Sequence, residues 1–348
     1  MQQKMHSFRS ARTSSMKHKT IPIFVPHMGC PNDCSFCNQK KITGQNTLVT
    51  KDDVKRQIED ALFTMPDDTD FVEIGFFGGS FTGIDKKAQN DFLEVAKSYK
   101  DKGLVQAIRL STRPDYIDDE ILTNLKSFGV TTIELGAQSM DDEVLLLNRR
   151  GHISEDTVRA SRMIKDYGFG LGLQMMTGLF GDSDEKCMET LEKIISLHPD
   201  CVRIYPTLVL SGTHLGKFYE TGKYKPQTLD EAVSLCADLK ERLDNENIKI
   251  IRLGLMSSDN INPNADVLSG PYHPSFGELV QSEIYLRRIL KEIDCNADIL
   301  VNEKDISAFS GNKKKNIQKL EESGYNVKFI VDKTIERGHF KIIRKEQQ

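Results

Sequence analysis

The chain has 348 residues, enough to bury a large core and to hold one sizeable domain plus a smaller one. Its 47 basic and 51 acidic side chains leave a formal net charge of −4, which excludes a global field that would advertise a nucleic-acid or membrane surface. No apolar run approaches the length of a membrane span, no signal-peptide core is visible, and the seven cysteines are an odd set without regular spacing outside one loop; the expectation is a reducing, cytoplasmic setting with no membrane partner.

Residues 1–19 carry Lys4, Arg9, Arg12, Lys17 and Lys19 and no acid. They show no hydrophobic period and read as a disordered basic arm, with Met16 as a second possible start. Ile21 to Val25 is a short apolar strand that runs into the loop Cys30-Pro31-Asn32-Asp33-Cys34-Ser35-Phe36-Cys37. Thr50 to Met65 reads as a helix, because Val54, Ile58, Ala61, Leu62 and Met65 fall on one face. Strands and helices then alternate: Phe71–Phe77, helix Asp85–Lys100, strand Gln106–Leu110, helix Asp118–Phe128 closed by Gly129, and strand Thr131–Leu135. Ser154 is expected to cap a helix running to Tyr167, followed by strand Phe169–Met176, helix Asp184–Leu197 stopped by Pro199, and strand Cys201–Tyr205. Thr228 to Glu231 is a capping box that opens a helix to about Asp244, and Ile248–Leu253 is one more strand.

Six βα units and a trailing strand demand a parallel sheet with helices outside. Six are too few for an eight-fold barrel, so residues 20–255 read as an open, curved partial (β/α)6 barrel, with an open flavodoxin-like sheet as the alternative. Residues 256–274, rich in Ser, Asp, Asn, Pro and Gly, read as a linker. Residues 275–348 read as a small α+β domain. Its expected elements are a capping box at Ser275–Glu278 opening a helix to Ile293, strands Asp298–Val301, Asn326–Val331 and His339–Ile343, and a helix from about Lys314 to Glu322. Cys187, Cys201, Cys236 and Cys295 sit singly in apolar patterns and are expected to be buried structural thiols.

The Cys loop has the pattern CxxxCxxC. Three thiolates on one tight loop suit three irons of a 4Fe-4S cluster, and with no fourth Cys nearby the last iron stays open to a small molecule. A Cys3His zinc site completed by His27 and a disulfide are the competing readings; zinc usually wants a second Cys or His pair, and disulfides suit small secreted domains. The spacing, with Phe36 before the last Cys, is similar to the motif of the radical S-adenosylmethionine (SAM) superfamily. That resemblance implies a partial barrel, a 4Fe-4S cluster on Cys30, Cys34 and Cys37, and SAM chelating the open iron.

Other unusual residues fall where strands end and loops begin, the functional edge of parallel βα folds. Gly78 and Gly79 let backbone approach a ligand closely, or simply make a tight turn. The resemblance puts such a glycine pair at the SAM amine, with Ser80 standing where the family has an acid. Ser111 and its neighbours Thr112-Arg113-Pro114-Asp115 either face the ligand or cap the next helix. Gln138 suits a ribose hydroxyl, and Arg149 or Arg150 suits a carboxylate, the alternative being a solvated pair at a helix start. The runs TTIELGAQSMDD, LNRRGHISEDTVRASRMIKDYGF, MMTGLFGDSDE, VRIYPTLVLSGT and YKPQTLDEAV closely resemble the radical SAM domain of the Elongator catalytic subunit, whose family modifies the wobble uridine of tRNA. The oxygen-independent coproporphyrinogen III oxidase family shares a looser version. Its SAM-contacting Gln, Arg and fifth-strand Asp match Gln138, Arg150 and Gln174, the last a Gln for Asp replacement. Two departures stand out: the Cys spacing is shorter than in the Elongator type, and residues 275–348, which follow the barrel and linker, are expected to form the small α+β domain rather than an acetyltransferase domain.

The resemblance implies a cytoplasmic enzyme whose cluster cleaves SAM reductively to a 5′-deoxyadenosyl radical, which abstracts hydrogen from substrate during tRNA modification. A flavodoxin or ferredoxin is the implied electron donor. The alternatives are a radical SAM enzyme acting on a small molecule such as a porphyrinogen, and a non-catalytic iron-sulfur or zinc protein. In the small domain, Ser310-Gly311-Asn312-Lys313-Lys314-Lys315-Asn316 is expected to join a strand to a helix, with Asn312 as N-cap and three lysines at the helix start. It resembles the GxxG loop of KH domains without the second glycine, and is expected to bind RNA backbone, the alternative being a solvated lysine cluster.

Overall fold

Seven consecutive βα-type strands pair in one parallel sheet in the computed structural model, which describes residues 17–25, 30, 34–37, 49–255 and 266–345. The strands are β1 (His18–Val25), β2 (Phe71–Gly78), β3 (Ala107–Thr112), β4 (Thr132–Gln138), β5 (Gly170–Thr177), β6 (Cys201–Pro206) and β8 (Lys249–Leu253). Their spatial order is their chain order, β1-β2-β3-β4-β5-β6-β8, with every neighbour pair parallel. The expected partial barrel is therefore present. The first strand starts at His18, so His18 and Lys19 belong to the sheet rather than to the basic arm; residues 1–16 lie outside the described residues.

Helices α1 (Lys51–Phe63), α2 (Lys86–Asp101), α3 (Asp119–Ser127), α5 (Ser154–Asp166), α6 (Asp184–Ser196) and α8 (Leu229–Asn245) link these strands. Most start on a short polar side chain that accepts from an otherwise orphaned amide. Thr50, Asp85, Asp118, Ser183 and Thr228 all do so, each contributing about 1 kcal/mol. Ser154 is the exception to expectation. It is the first helical residue, and the chain end is held instead by Asp156 accepting from the Ile153 amide (3.0 Å). Alternate strand residues, among them Ile21, Ile74, Ile108, Ile133, Leu171 and Val202, are fully or nearly fully buried in the main core with the apolar faces of these helices. The positions between them carry charge, including Glu73, Arg109, Glu134 and Arg203.

Short elements escape the sequence pattern. Helices α4 (Asp142–Leu147), α7 (His214–Glu220) and α10 (Ile306–Ser310) have no more than two turns, too few for a period to show. Strand β9 (Val267–Ser269) falls inside the expected linker and pairs antiparallel with β7 (Val209–Leu210); residues 256–265 lie outside the described residues. Helix α9 (Phe276–Glu292) begins without a side-chain cap from Ser275, so the expected capping box is not formed. It belongs to two cores: Phe276, Val280 and Ile284 pack with the barrel, whereas Tyr285, Leu286 and Ile289 pack with the small domain. That domain is completed by β10 (Ala297–Val301), α11 (Lys315–Glu322), β11 (Val327–Val331) and β12 (Phe340–Arg344), in the sheet order β11-β10-β12. Of the four lone cysteines, Cys187, Cys201 and Cys236 are buried, but Cys295 is only half-buried.

Candidate functional site

The Cys loop is held by residues far away in sequence. The Ser35 amide donates to the Asn148 carbonyl (3.1 Å), its hydroxyl donates to Asn148 Oδ1 (2.7 Å), and its carbonyl accepts from the Leu215 amide (2.7 Å). Asn148 is fully buried and donates from Nδ2 to the carbonyls of Val144 (2.8 Å) and Phe180 (2.9 Å), so both ends of its amide are committed. Cys34 is buried beneath Arg150, whose Nη1 donates to its Sγ (3.2 Å) while Nη2 donates to the Gly136 carbonyl (2.7 Å). The Ser80 amide donates to the Cys30 thiol. Burial pushes that thiol up, and the Ser80 amide and the charges of Arg113 and Arg150 oppose the shift. Arg113 is itself buried, forked on Asp115 (2.9 and 2.8 Å) and donating to the Arg150 carbonyl (2.6 Å), with Nη1 left without a partner. Cys30 and Cys34 lie close enough for their charges to interact, and Cys37 closes a turn by donating its amide to the Cys34 carbonyl (3.0 Å). Among the described residues, no three His, Cys, Asp or Glu side chains already converge as a ligand group. Residues 26–29, 31–33 and 38–48, His27 included, lie outside the described residues.

The expected rim residues gather at the carboxyl ends of β2 to β5. Gly78 has φ 104°, a conformation side chains avoid, and the next amide, Gly79, donates to Val25 (3.1 Å). Ser80 does not present its side chain to the rim. Its hydroxyl is bonded to Thr112 Oγ1 (2.8 Å) and accepts from the Arg113 amide (3.2 Å), leaving its backbone to serve Cys30. Gln138 sits at the β4 bulge with φ 67°, its side chain lying over Gly136, where an added Cβ would meet Nε2 at 3.0 Å. Its Oε1 is buried without a partner. Arg149 and Arg150 are not a solvated pair: Arg149 is exposed and bonded to His214 (2.8 Å), and Arg150 is buried. Ser111 and Gln174 come together directly, Nε2 donating to Oγ at 3.1 Å.

Sequence reasoning missed what lies beneath them. Arg109 donates from Nε to Glu73 (3.1 Å) and from Nη1 to Glu134 (2.8 Å). Arg203 donates to the same Glu134 from Nε (2.5 Å) and Nη2 (2.9 Å), and Gln174 Nε2 adds a further bond (2.8 Å). Burial opposes charge on Glu134, yet the bonds from Arg203 and the charges of Arg203 and Arg109 outweigh it and hold its pKa below the ordinary range. The signal was present in the sequence: a parallel strand buried on both faces should be apolar, and each of β2, β3, β4 and β6 carries one charged residue near its middle. Asn148 had no such signal.

His152 is buried beside Arg150 and Arg113. Burial, reinforced by the charges of Arg150 and Arg113, pushes its pKa down from 6.5 to about 4. The unfolded chain therefore binds a proton that the folded chain refuses between those values, so acid favours unfolding in that window by up to roughly 3 kcal/mol. Unfolding midpoints measured from pH 7 to pH 4 should fall less steeply in His152→Leu than in the parent; identical slopes would refute this.

The lysine loop lies elsewhere and differs from expectation. It joins helix α10 to helix α11 rather than a strand to a helix. Gly311, Lys313 and Lys314 all take positive φ (79°, 52° and 63°), and Asn312 is not the cap of α11. Lys315 is paired with Asp230 of α8 (2.7 Å).

Comparison with known proteins places this geometry. A family model described as the radical SAM superfamily matches residues 24–194, and one described as the radical SAM C-terminal domain matches 199–286, together about three quarters of the chain. A tRNA uridine(34) acetyltransferase of Methanocaldococcus infernus is 30% identical over 232 residues, which is 61% of this chain and 42% of that protein. Elongator complex protein 3 of Saccharomyces cerevisiae is 29% identical, covering 48% of this chain and 34% of the relative. The matches thus span less than half the length of these relatives. The solved structure of archaeal Methanocaldococcus infernus Elp3 superposes with a TM-score of 0.62 at 24% identity, over 79% of this chain and 63% of that one, a likeness of fold.

Proposed function

The chain belongs to the radical SAM superfamily, and from that premise we propose that it is an enzyme that binds a 4Fe-4S cluster through Cys30, Cys34 and Cys37, binds SAM across the adjoining strand ends, and modifies tRNA. One observation carries the reading: Gly78, Gly79, Ser111, Gln138, Arg150 and Gln174, drawn from four strand ends and a loop, surround the side of the fold on which Cys30 and Cys34 sit. The donor set fits the group, since of the three thiols of one eight-residue segment Cys30 and Cys34 lie beside two buried guanidinium groups that balance thiolate charge. When bound, the cluster supplies the electron that splits SAM into methionine and a 5′-deoxyadenosyl radical, which takes a hydrogen from substrate.

The protein's own residues bind, orient and shield. Asn148 fixes the Cys loop through Ser35. Arg150 offers its charge to the methionyl carboxylate while bracing Cys34. Gln138 offers its unpartnered Oε1 to a ribose hydroxyl, and the side-chain-free backbone at Gly78 and Gly79 offers groups to the SAM amine. Ser80 contributes through its backbone. Arg150→Ala removes a charge-assisted interaction of about 1.5–3 kcal/mol, so SAM affinity should fall by about tenfold or more. Unchanged affinity by calorimetry would refute the role of Arg150.

The tRNA assignment rests on the named relatives and on the loop at Gly311–Lys315. Lys314 stands where a KH-type loop has its second glycine and adopts the left-handed backbone a glycine would take. Lys313 and Lys314 carry the positive charge there, Lys315 being shared with Asp230. Replacing Lys313, Lys314 and Lys315 by Ala should weaken tRNA binding and flatten its dependence on salt. Equal affinity with an equal salt slope would remove the loop from the reading. A flavodoxin or ferredoxin is the proposed electron donor.

A further inference from the structure

Gln174 stands where the resemblance to the oxygen-independent coproporphyrinogen III oxidase family implies an Asp, and an amide, unlike a carboxylate, can present either a donor or an acceptor. Its surroundings remove that ambiguity. Glu134 is buried and ionised, and a carboxylate only accepts, so the amide nitrogen must face it. Nε2 has two hydrogens, and both are used, one on Glu134 Oε2 (2.8 Å) and one on Ser111 Oγ (3.1 Å). Glu134 in turn cannot rotate away. Oε1 accepts from Arg109 Nη1 (2.8 Å) and Arg203 Nη2 (2.9 Å), and Oε2 accepts from Arg203 Nε (2.5 Å) and Gln174. Gln174 is only partly buried, and Oε1 is the polar atom its amide has left to offer a ligand.

We infer that Glu134 is a positioning residue that locks the Gln174 amide so that it presents only an acceptor, making it the equivalent of a carboxylate toward a hydroxyl donor of the bound nucleoside. This rests on the SAM reading above. Ser111 takes the second amide hydrogen, but its hydroxyl can also donate, so the orientation is set by Glu134. A neutral Gln at 134 can donate, which lets the Gln174 amide turn over and show its nitrogen to the ligand.

The test uses the full chain, anaerobically reconstituted, and equilibrium binding of S-adenosylhomocysteine and its 2′-deoxy-2′-fluoro and 3′-deoxy-3′-fluoro analogues, whose fluorine cannot donate, with no turnover. The parent should prefer the full nucleoside to one of the two fluoro analogues by about fivefold or more, the worth of one hydrogen bond. In Glu134→Gln, where the amide can turn its nitrogen to the ligand, that ratio should shrink to within about twofold, with affinity for the fluoro analogue no weaker than in the parent. A merely structural role would weaken all three ligands together and leave the ratio intact, which overturns the inference. Gln174→Leu, which removes the acceptor without removing a charge from the buried lattice, should shrink the ratio as well; if Glu134→Gln does not fold, an unchanged ratio in Gln174→Leu overturns the inference by itself. Failure of the parent to bind S-adenosylhomocysteine at all would overturn the SAM reading and this inference together, whereas normal binding with an unshifted ratio overturns only the inference.

Discussion

Replacing Cys30, Cys34 and Cys37 together by Ala should reduce iron and acid-labile sulfide in the anaerobically reconstituted protein to background, and abolish SAM cleavage. The thiols are the only cysteines of the chain that fall on one short loop; Cys187, Cys201 and Cys236 are buried singly in three different strands and helices, with no second cysteine of the same element to share a metal. The fold should survive, because the backbone and hydroxyl bonds of Ser35 remain when the thiol contacts to Arg150 and Ser80 are lost. Undiminished iron in a folded triple variant would move the cluster elsewhere and sink the assignment.

Arg109→Met should destabilise the fold by about 3–5 kcal/mol, the usual cost of removing one partner from a buried ion pair. Arg109 is 9% exposed and bridges Glu73 and Glu134, which are 4% and 1% exposed. Methionine fills similar volume but leaves two buried carboxylates short of a cation. Glu134 keeps Arg203; among the described residues Glu73 keeps Thr20 (2.9 Å) and the ring of His18 (3.2 Å). The cost is therefore concentrated on Glu73, and Glu73→Gln in the Arg109→Met background should recover part of it. Chemical unfolding of the single and double variants measures both. An Arg109→Met protein with the parent midpoint would mean that water reaches this lattice and solvates it.

The alternation of strand and helix was readable because both periods are local. A strand repeats every two residues and a helix every 3.6, and caps such as Thr50, Asp118 and Thr228 act within three or four residues of themselves. Parallel order followed, since short βα connections leave little choice of neighbour. The Cys spacing, the glycine pair and the strand-end positions of Ser111, Gln138 and Gln174 were likewise visible as residue types in register with predicted elements.

What the tertiary structure decided is what depends on distance in space. Ser35 and Asn148 are 113 residues apart, and no local pattern announces their pairing. The same holds for Arg150 over Cys34, which distinguishes the two adjacent arginines as one exposed and one buried. The hydroxyl of Ser80, which stands where the resemblance implies an acid, is consumed by Thr112 and Arg113 across neighbouring strands. The lysine loop proved to join two helices because a five-residue helix is too short to show a period. Each charged residue of the lattice is locally an oddity in an apolar strand. Only when the parallel sheet sets Glu73, Arg109, Glu134 and Arg203 side by side do the charges neutralise one another, because compensation between buried charges falls off with separation and the sheet alone brings them within hydrogen-bonding distance.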